Sequence, residues 1–325
     1  MTTTATTLAL FDDDDGRSKI ERANTAFIKY PRIRTIHERI LECQHLSRLA
    51  QEPQCMILEG VPGAGKSTLV RDYVQAFPRY RGPNGMIIPA LYVETPSPVT
   101  VKGMASTMLQ RMGDPLWHKG TQTAMDLRLQ HYIKACEVEI IILDDFHHLI
   151  ERHKPHIVRT VANWIKVFIK QTGRPFLMVC IEGTSDQILG DVDNRQLSRL
   201  FAIRETLAPF SWNVRDSASI KAFDQFLKRA EGALDMPLHL RLPRINFLYR
   251  VHQATHGVVA HIMNLFRSAQ LMAMKGERKM VRLDDFAKAY TDRLSYEVKL
   301  PQNPFHQKYT VPEGVMNAQP SVETD

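Results

Sequence analysis

The 325-residue chain carries 42 Lys and Arg against 35 Asp and Glu, a formal charge of +7, with 44% hydrophobic residues and four cysteines. That length and apolar fraction suit one substantial core with a smaller companion. They exclude a disordered polyelectrolyte, and no apolar run is long enough for a membrane span.

The N-terminal MTTTATTLALFDDDDGR lacks the basic-then-apolar order of an export signal, so the expectation is a cytoplasmic protein without a membrane partner. Cys43, Cys55, Cys136 and Cys180 are widely scattered and read as reduced core residues. The basic balance is compatible with contact to phosphate backbones.

Residues 1–25 are polar, with an acidic run at Asp12 to Asp15, and read as a flexible tail. An α/β nucleotide-binding region is expected over 26–209. It opens on Tyr30-Pro31-Arg32, where Pro31 pushes Tyr30 out of helical geometry. Ile36, Ile40, Leu41, Leu46 and Leu49 then recur at helical spacing.

The apolar run from Cys55 to Leu58 leads through Glu59 into Gly60-Val61-Pro62-Gly63-Ala64-Gly65-Lys66-Ser67-Thr68, which fits G-x-x-x-x-G-K-[ST] at every position. Such a strand, glycine turn and helix cradle phosphates, because the glycines let backbone N–H groups curl around an anion that also meets the positive end of the helix. Lys66 is then expected to bridge the β- and γ-phosphates of ATP, and Ser67 to ligate Mg²⁺.

Beyond a turn-rich stretch, Met86 to Val93 read as a strand. A loop from Thr95 to Gly103 leads into a helix through Met104, Met108 and Leu109, and a second helix spans about Thr123 to Ala135. Lys102, Arg111, Lys119 and Thr121 sit in the loop and bends and point outward.

In Glu139-Ile140-Ile141-Ile142-Leu143-Asp144-Asp145-Phe146-His147-His148-Leu149, four aliphatics followed by two acids predict a strand buried on both faces, with carboxylates at its ligand-binding end. Asp144 is expected to hold Mg²⁺ through water and Asp145 to orient or deprotonate the attacking water. His147, His148, His153 and His156 lack a cysteine or carboxylate frame at a metal-binding spacing and read as packed or solvated.

A helix through Val158, Val161, Trp164, Ile165 and Phe168 precedes the buried strand Pro175 to Ile181. Glu182-Gly183-Thr184 follows, and two readings stay open: Thr184 beside the γ-phosphate, or an ordinary strand-ending turn. Arg195, Arg199 and Arg204 come next. If the nucleotide lies at a subunit junction, Arg199 is the chosen arginine to reach a neighbour's γ-phosphate.

Beyond Pro209 helical spacing dominates, so a small all-helical lid is expected over 210–298. Asp216 caps a first helix and Asp284 a last one. Residues 299–325 read as a second flexible tail.

The phosphate loop, the acidic strand end, the polar strand end and the trailing helices together resemble the AAA+ ATPases, and among them the TniB/TnsC-type transposition ATPases. The resemblance covers about residues 25–298. It implies an α/β, P-loop AAA+ fold with a parallel sheet flanked by helices and a helical lid. It also implies an Mg²⁺-dependent ATPase that polymerises on duplex DNA without sequence preference, marks the target site, and meets a transposase and a target-selector protein.

Family DNA contacts map to the neighbourhoods of Lys102, Lys119 and Thr121. Two departures stand out. Asp145 replaces the usual glutamate, implying slow hydrolysis, and Gly257-Val258-Val259-Ala260-His261 lacks an arginine that many lids carry. An initiator or clamp-loader-like remodelling ATPase is the main alternative, and a nucleotide-binding adaptor without hydrolysis is a third.

Overall fold

The computed structural model describes residues 13–151, 155–189 and 195–316. Two compact units divide it: one spans 31–208, and the other joins the segment before residue 31 to the chain from 209 onward. Among the described residues no helix is long and apolar enough to cross a membrane.

The first element corrects the expectation of a flexible tail, because Asp14–Thr25 form helix α1. Asp13 caps it by accepting from the Gly16 N–H, and Asp14 and Asp15 lie in the first turn, where carboxylates meet the positive helix end. The acidic run is thus a helix start. Ala23 is buried, so α1 contributes to the second unit.

In the α/β unit, Pro31 opens helix α2 (Pro31–Leu46), as its fixed φ allows at a first helical position. Strand β1 (Met56–Glu59) and helix α3 (Lys66–Ala76) flank the glycine turn. The predicted Met86–Val93 strand is divided. A hairpin of β2 (Tyr80–Gly82) and β3 (Gly85–Ile87) is separated from β4 (Ala90–Glu94) by Pro89, which cannot donate to a ladder.

Helices α4 (Val101–Met112) and α5 (Gln122–Ala135) follow, then β5 (Ile140–Asp144), the short α6 (His148–Glu151), α7 (Pro155–Thr172) and β6 (Phe176–Cys180). Two short helices, α8 (Thr184–Leu189) and α9 (Arg195–Leu200), lead to β7 (Ile203–Thr206).

The five strands pair in the order β4-β5-β6-β1-β7, all parallel. Every residue of β5 and β6 is buried, as their uninterrupted apolar runs require of central strands. β7 alternates half-buried and exposed positions, as its position at the sheet edge allows. Helix α7 turns Val161, Trp164, Ile165 and Phe168 into the core, a three- and four-residue recurrence, and the Trp164 and Phe168 rings stack at 5.1 Å.

The second unit is built on α10 (Ser217–Leu234), α11 (Arg244–Thr255), α12 (Val259–Lys275) and α13 (Leu283–Arg293). A two-residue parallel ladder, β8 (Leu238–His239) with β9 (Val281–Arg282), is added to the helices. Asp216 caps α10 as expected, through the Ala218 N–H.

At α13 the N-cap is Arg282, not Asp284. The Asp285 carboxylate reaches back to the Arg282 N–H at 2.9 Å. Gly257, at φ 70°, lies so close to the Phe210 carbonyl that a Cβ would collide with it. Only glycine fits there.

The second expected tail is also packed as far as residue 316. Phe305 is fully buried against Phe286 at 5.5 Å, inside a ring cluster with Phe247 and Phe266. Buried Arg250 donates to the carbonyls of Pro304 (2.6 Å), His306 (3.0 Å) and Tyr309 (2.9 Å), and a terminal helix α14 (Glu313–Met316) follows. Backbone carbonyls satisfy the guanidinium here, a signal that hydrophobic periodicity does not carry.

Candidate functional site

Because all five strands are parallel, β1, β5 and β6 end on the same edge of the sheet, and β6 lies between the other two. The glycine turn, the Asp144-Asp145 pair and Glu182-Gly183-Thr184 therefore converge where ligands of open α/β sheets bind.

In the turn, Gly63 (φ 77°) and Gly65 (φ 99°) adopt left-handed backbone that other residues rarely tolerate. A Cβ on Gly65 would meet nothing within 4 Å, so the space beside that residue is open. Gly60 has the opposite constraint, since a Cβ there would collide with the Leu207 carbonyl.

Val61, Pro62 and Ala64 complete the loop. The Ala64 N–H donates to the Val61 carbonyl at 3.2 Å and the Ala64 side chain is buried. Lys66 Nζ donates to the carbonyls of Gly60 (2.7 Å) and Val61 (3.0 Å). Burial lowers its pKa below the usual value, while Cys180, Asp144, Asp145 and Glu59 pull it back up. Ser67 is half-buried and Thr68 exposed in the first turn of α3.

Asp144 is fully buried. Its Oδ2 accepts from the Tyr92 hydroxyl at 2.7 Å and its Oδ1 from the Asp145 N–H at 2.9 Å. Asp145 takes a left-handed φ of 55° and is half-buried. Thr184 is buried at the start of α8, next to Gly183 at φ 81°.

Arg199 is exposed in α9, whereas Arg204 lies in β7 and pairs with Asp186 at 3.4 Å. Arg195 opens α9, and His153 lies outside the described residues. His147 and His148 have ring centroids 4.4 Å apart beside the acidic strand end.

Two residues that sequence reasoning missed join this edge. Tyr92, on β4, links Asp144 to the α3 residue Arg71, whose Nε donates to the phenol oxygen at 3.2 Å and whose Nη2 pairs with Glu94 at 2.9 Å. Burial and the Asp144 contact both raise the Tyr92 pKa, keeping the phenol protonated as a donor. Glu59 accepts the Ser185 N–H at 2.7 Å, tying the last residue of β1 to α8. An acid at the end of an otherwise apolar strand was a readable signal for Glu59, whereas a tyrosine within β4 announces no partner.

Lys102, Lys119 and Thr121 are all exposed. Lys102 lies in the first turn of α4, behind the Thr100 cap, while Thr121 caps α5 by accepting from the Ala124 N–H at 3.3 Å. The connecting loop folds back so that Ser106 Oγ donates to the Trp117 carbonyl at 3.0 Å, one helical turn from Lys102. Arg128 holds the same loop through the Leu116 and Lys119 carbonyls, both at 2.9 Å.

A family model described as Bacterial TniB protein matches residues 19–206. No curated protein sequence matches the chain. Among solved structures, the Aeropyrum pernix ORC1 protein in complex with DNA is similar with a TM-score of 0.60 at 17% identity, over 82% of this chain and 66% of that one. The Aeropyrum pernix ORC2 protein (ADPNP-ADP complexes) gives 0.59 at 15%, over 83% of this chain and 71% of that one. Drosophila ORC bound to DNA gives 0.55 at 14%, over 83% and 64%. At these identities the likeness shows the fold alone: the AAA+ arrangement of a parallel sheet flanked by helices with a helical C-terminal region.

Proposed function

The chain belongs to the TniB family, and on that premise we propose that it is an ATP-dependent, DNA-binding regulator of transposition that assembles on duplex DNA. The observation that carries the nucleotide reading is the pairing, on one sheet edge, of a glycine turn with left-handed Gly63 and Gly65, ending in Lys66, with a buried Asp144 whose two oxygens are both held.

Lys66 now donates to the carbonyls of its own loop, so it is poised to exchange those acceptors for phosphate oxygens. The residues fit Mg²⁺, with Ser67 and Asp144 as its oxygen donors, Asp144 acting through water. Bound there, the ion would neutralise charge on the phosphates. Asp145 is the group that orients water, and Thr184 the polar residue beside the transferred phosphate. Arg199, exposed on its helix, is available to a neighbouring copy.

Lys102, Lys119 and Thr121 form the proposed DNA surface. They offer two ammonium groups and a hydroxyl to phosphates and no planar group that would read a base edge, so binding is insensitive to sequence. The Aeropyrum pernix ORC1 and Drosophila ORC structures contain DNA, and the ORC2 structure contains ADPNP and ADP, which supports nucleotide and DNA as ligands of this fold.

Recruitment of a transposase and of a target selector is part of this proposed role, and membership of the TniB family supports it. Electron microscopy of the purified chain with duplex DNA tests the reading. Filaments are expected with a non-hydrolysable ATP analogue and Mg²⁺ and not without nucleotide; discrete rings that form equally well without DNA would favour a remodelling ATPase instead.

A further inference from the structure

The second unit contains a cavity of about 490 Å³ lined by α1, α12 and the end of α13. Its chemistry is one-sided. Among the described residues Arg267 and Arg293 both line it, and no Asp or Glu does.

In the same unit several arginines sit against acids, Arg22 with Asp235 (3.0 Å), Arg244 with Asp224 (2.7 Å) and Arg278 with Asp285, whereas Arg250, like Arg267, rests on backbone carbonyls. Arg267 is half-buried, and its guanidinium has only two carbonyl partners among the described residues, Ala23 through Nε (2.7 Å) and Asn24 through Nη2 (3.2 Å). A guanidinium has five N–H donors, so Nη1 is left uncommitted. Burial alone lowers the pKa of this group, with no carboxylate to offset it. Taking a cation out of water without an anion is costly, and a bound anion would remove that cost.

We propose that this cavity binds the phosphate group of a small phosphorylated molecule, with Arg267 and Arg293 as its charged partners and Asn24, Asn264 and Ser268 as neutral donors. Two guanidinium charges without a facing carboxylate match a dianion, and arginine forks suit its oxygens. The volume lies within the roughly 300–1,000 Å³ usual for small-molecule pockets. Ile20 and Leu271 give the remainder of such a ligand apolar walls. The site is independent of Lys66 and Asp144, which belong to the other unit.

The test uses the full chain carrying Lys66→Ala, which removes the phosphate-loop lysine from competition. Its thermal unfolding is followed in inorganic phosphate and in chloride at matched ionic strength. A higher midpoint in phosphate is expected, and Arg293→Glu should raise the phosphate concentration required at least tenfold. Arg293→Gln should have a smaller effect in the same direction.

Arg293 is exposed, and α1 is held by buried Ala23, the Arg22–Asp235 pair and the contacts of Arg267, none of which involves Arg293, so both variants should fold. No rise over chloride, or a rise unchanged in Arg293→Glu, would overturn the site. Glucose 6-phosphate and a short DNA duplex then separate the sources. Sugar phosphate binding at least as tight as that of inorganic phosphate supports the assignment, and Arg293-dependent binding of the duplex alone overturns it.

Discussion

Asp144 is held from two sides, and the Tyr92 hydroxyl is the side-chain half of that grip. A hydrogen bond to a charged group is worth about 1.5–3 kcal/mol. Tyr92→Phe is therefore expected to leave the fold intact and to raise the Mg²⁺ concentration needed for ATP hydrolysis about tenfold, read from Mg²⁺ titrations of initial rate. A unchanged titration would reduce Tyr92 to a packing residue.

Asp145 is one methylene shorter than the glutamate that the resemblance leads one to expect at this position. Asp145→Glu is expected to hydrolyse ATP faster than the parent, about tenfold or more, in single-turnover assays. Equal rates would mean that Asp145 already reaches its water. His252 carries a pH prediction. Its Nε2 lies 2.9 Å from the Phe210 carbonyl, and burial lowers its pKa below the usual 6.5. Below that pH the unfolded chain binds a proton that the folded one resists, so stability falls as pH drops from about 6.5, and is fully present above it. Denaturant midpoints measured between pH 7.5 and 5.5 should fall in the parent and fall less in His252→Gln.

At the scale of elements, legibility followed burial pattern. β5 and β6 were readable because central parallel strands demand unbroken apolar runs, and the glycine turn because its φ values admit few other residues. The two ends of the chain were not. Both are polar on average, and their order comes from a few specific contacts: the Asp13 cap and Ala23 for α1, Phe305 and the Arg250 carbonyl cluster for the C-terminal segment. Phe305→Ala tests this directly. Loss of a buried ring costs about 3–5 kcal/mol, so the denaturation midpoint of the second unit should drop markedly. A change under about 0.5 kcal/mol would restore the view of a loose tail.

For the whole molecule, the order β4-β5-β6-β1-β7 explains why residues 66, 144 and 184, far apart in the sequence, meet on one edge. The spacing of each motif could be read in one dimension; the Tyr92 bridge and the α8 tie through Glu59 needed the pairing of strands. The account rests on a triphosphate held at that edge licensing contact with duplex DNA. Fluorescence anisotropy of a labelled duplex of arbitrary sequence measures it most directly, with ATP analogue and Mg²⁺, with ADP and without nucleotide, for the parent and Lys66→Ala, across a salt series. The prediction is tight binding by the parent only with the ATP analogue, weakening steeply with salt as phosphate contacts require. Equal affinity without nucleotide, or in Lys66→Ala, would contradict it.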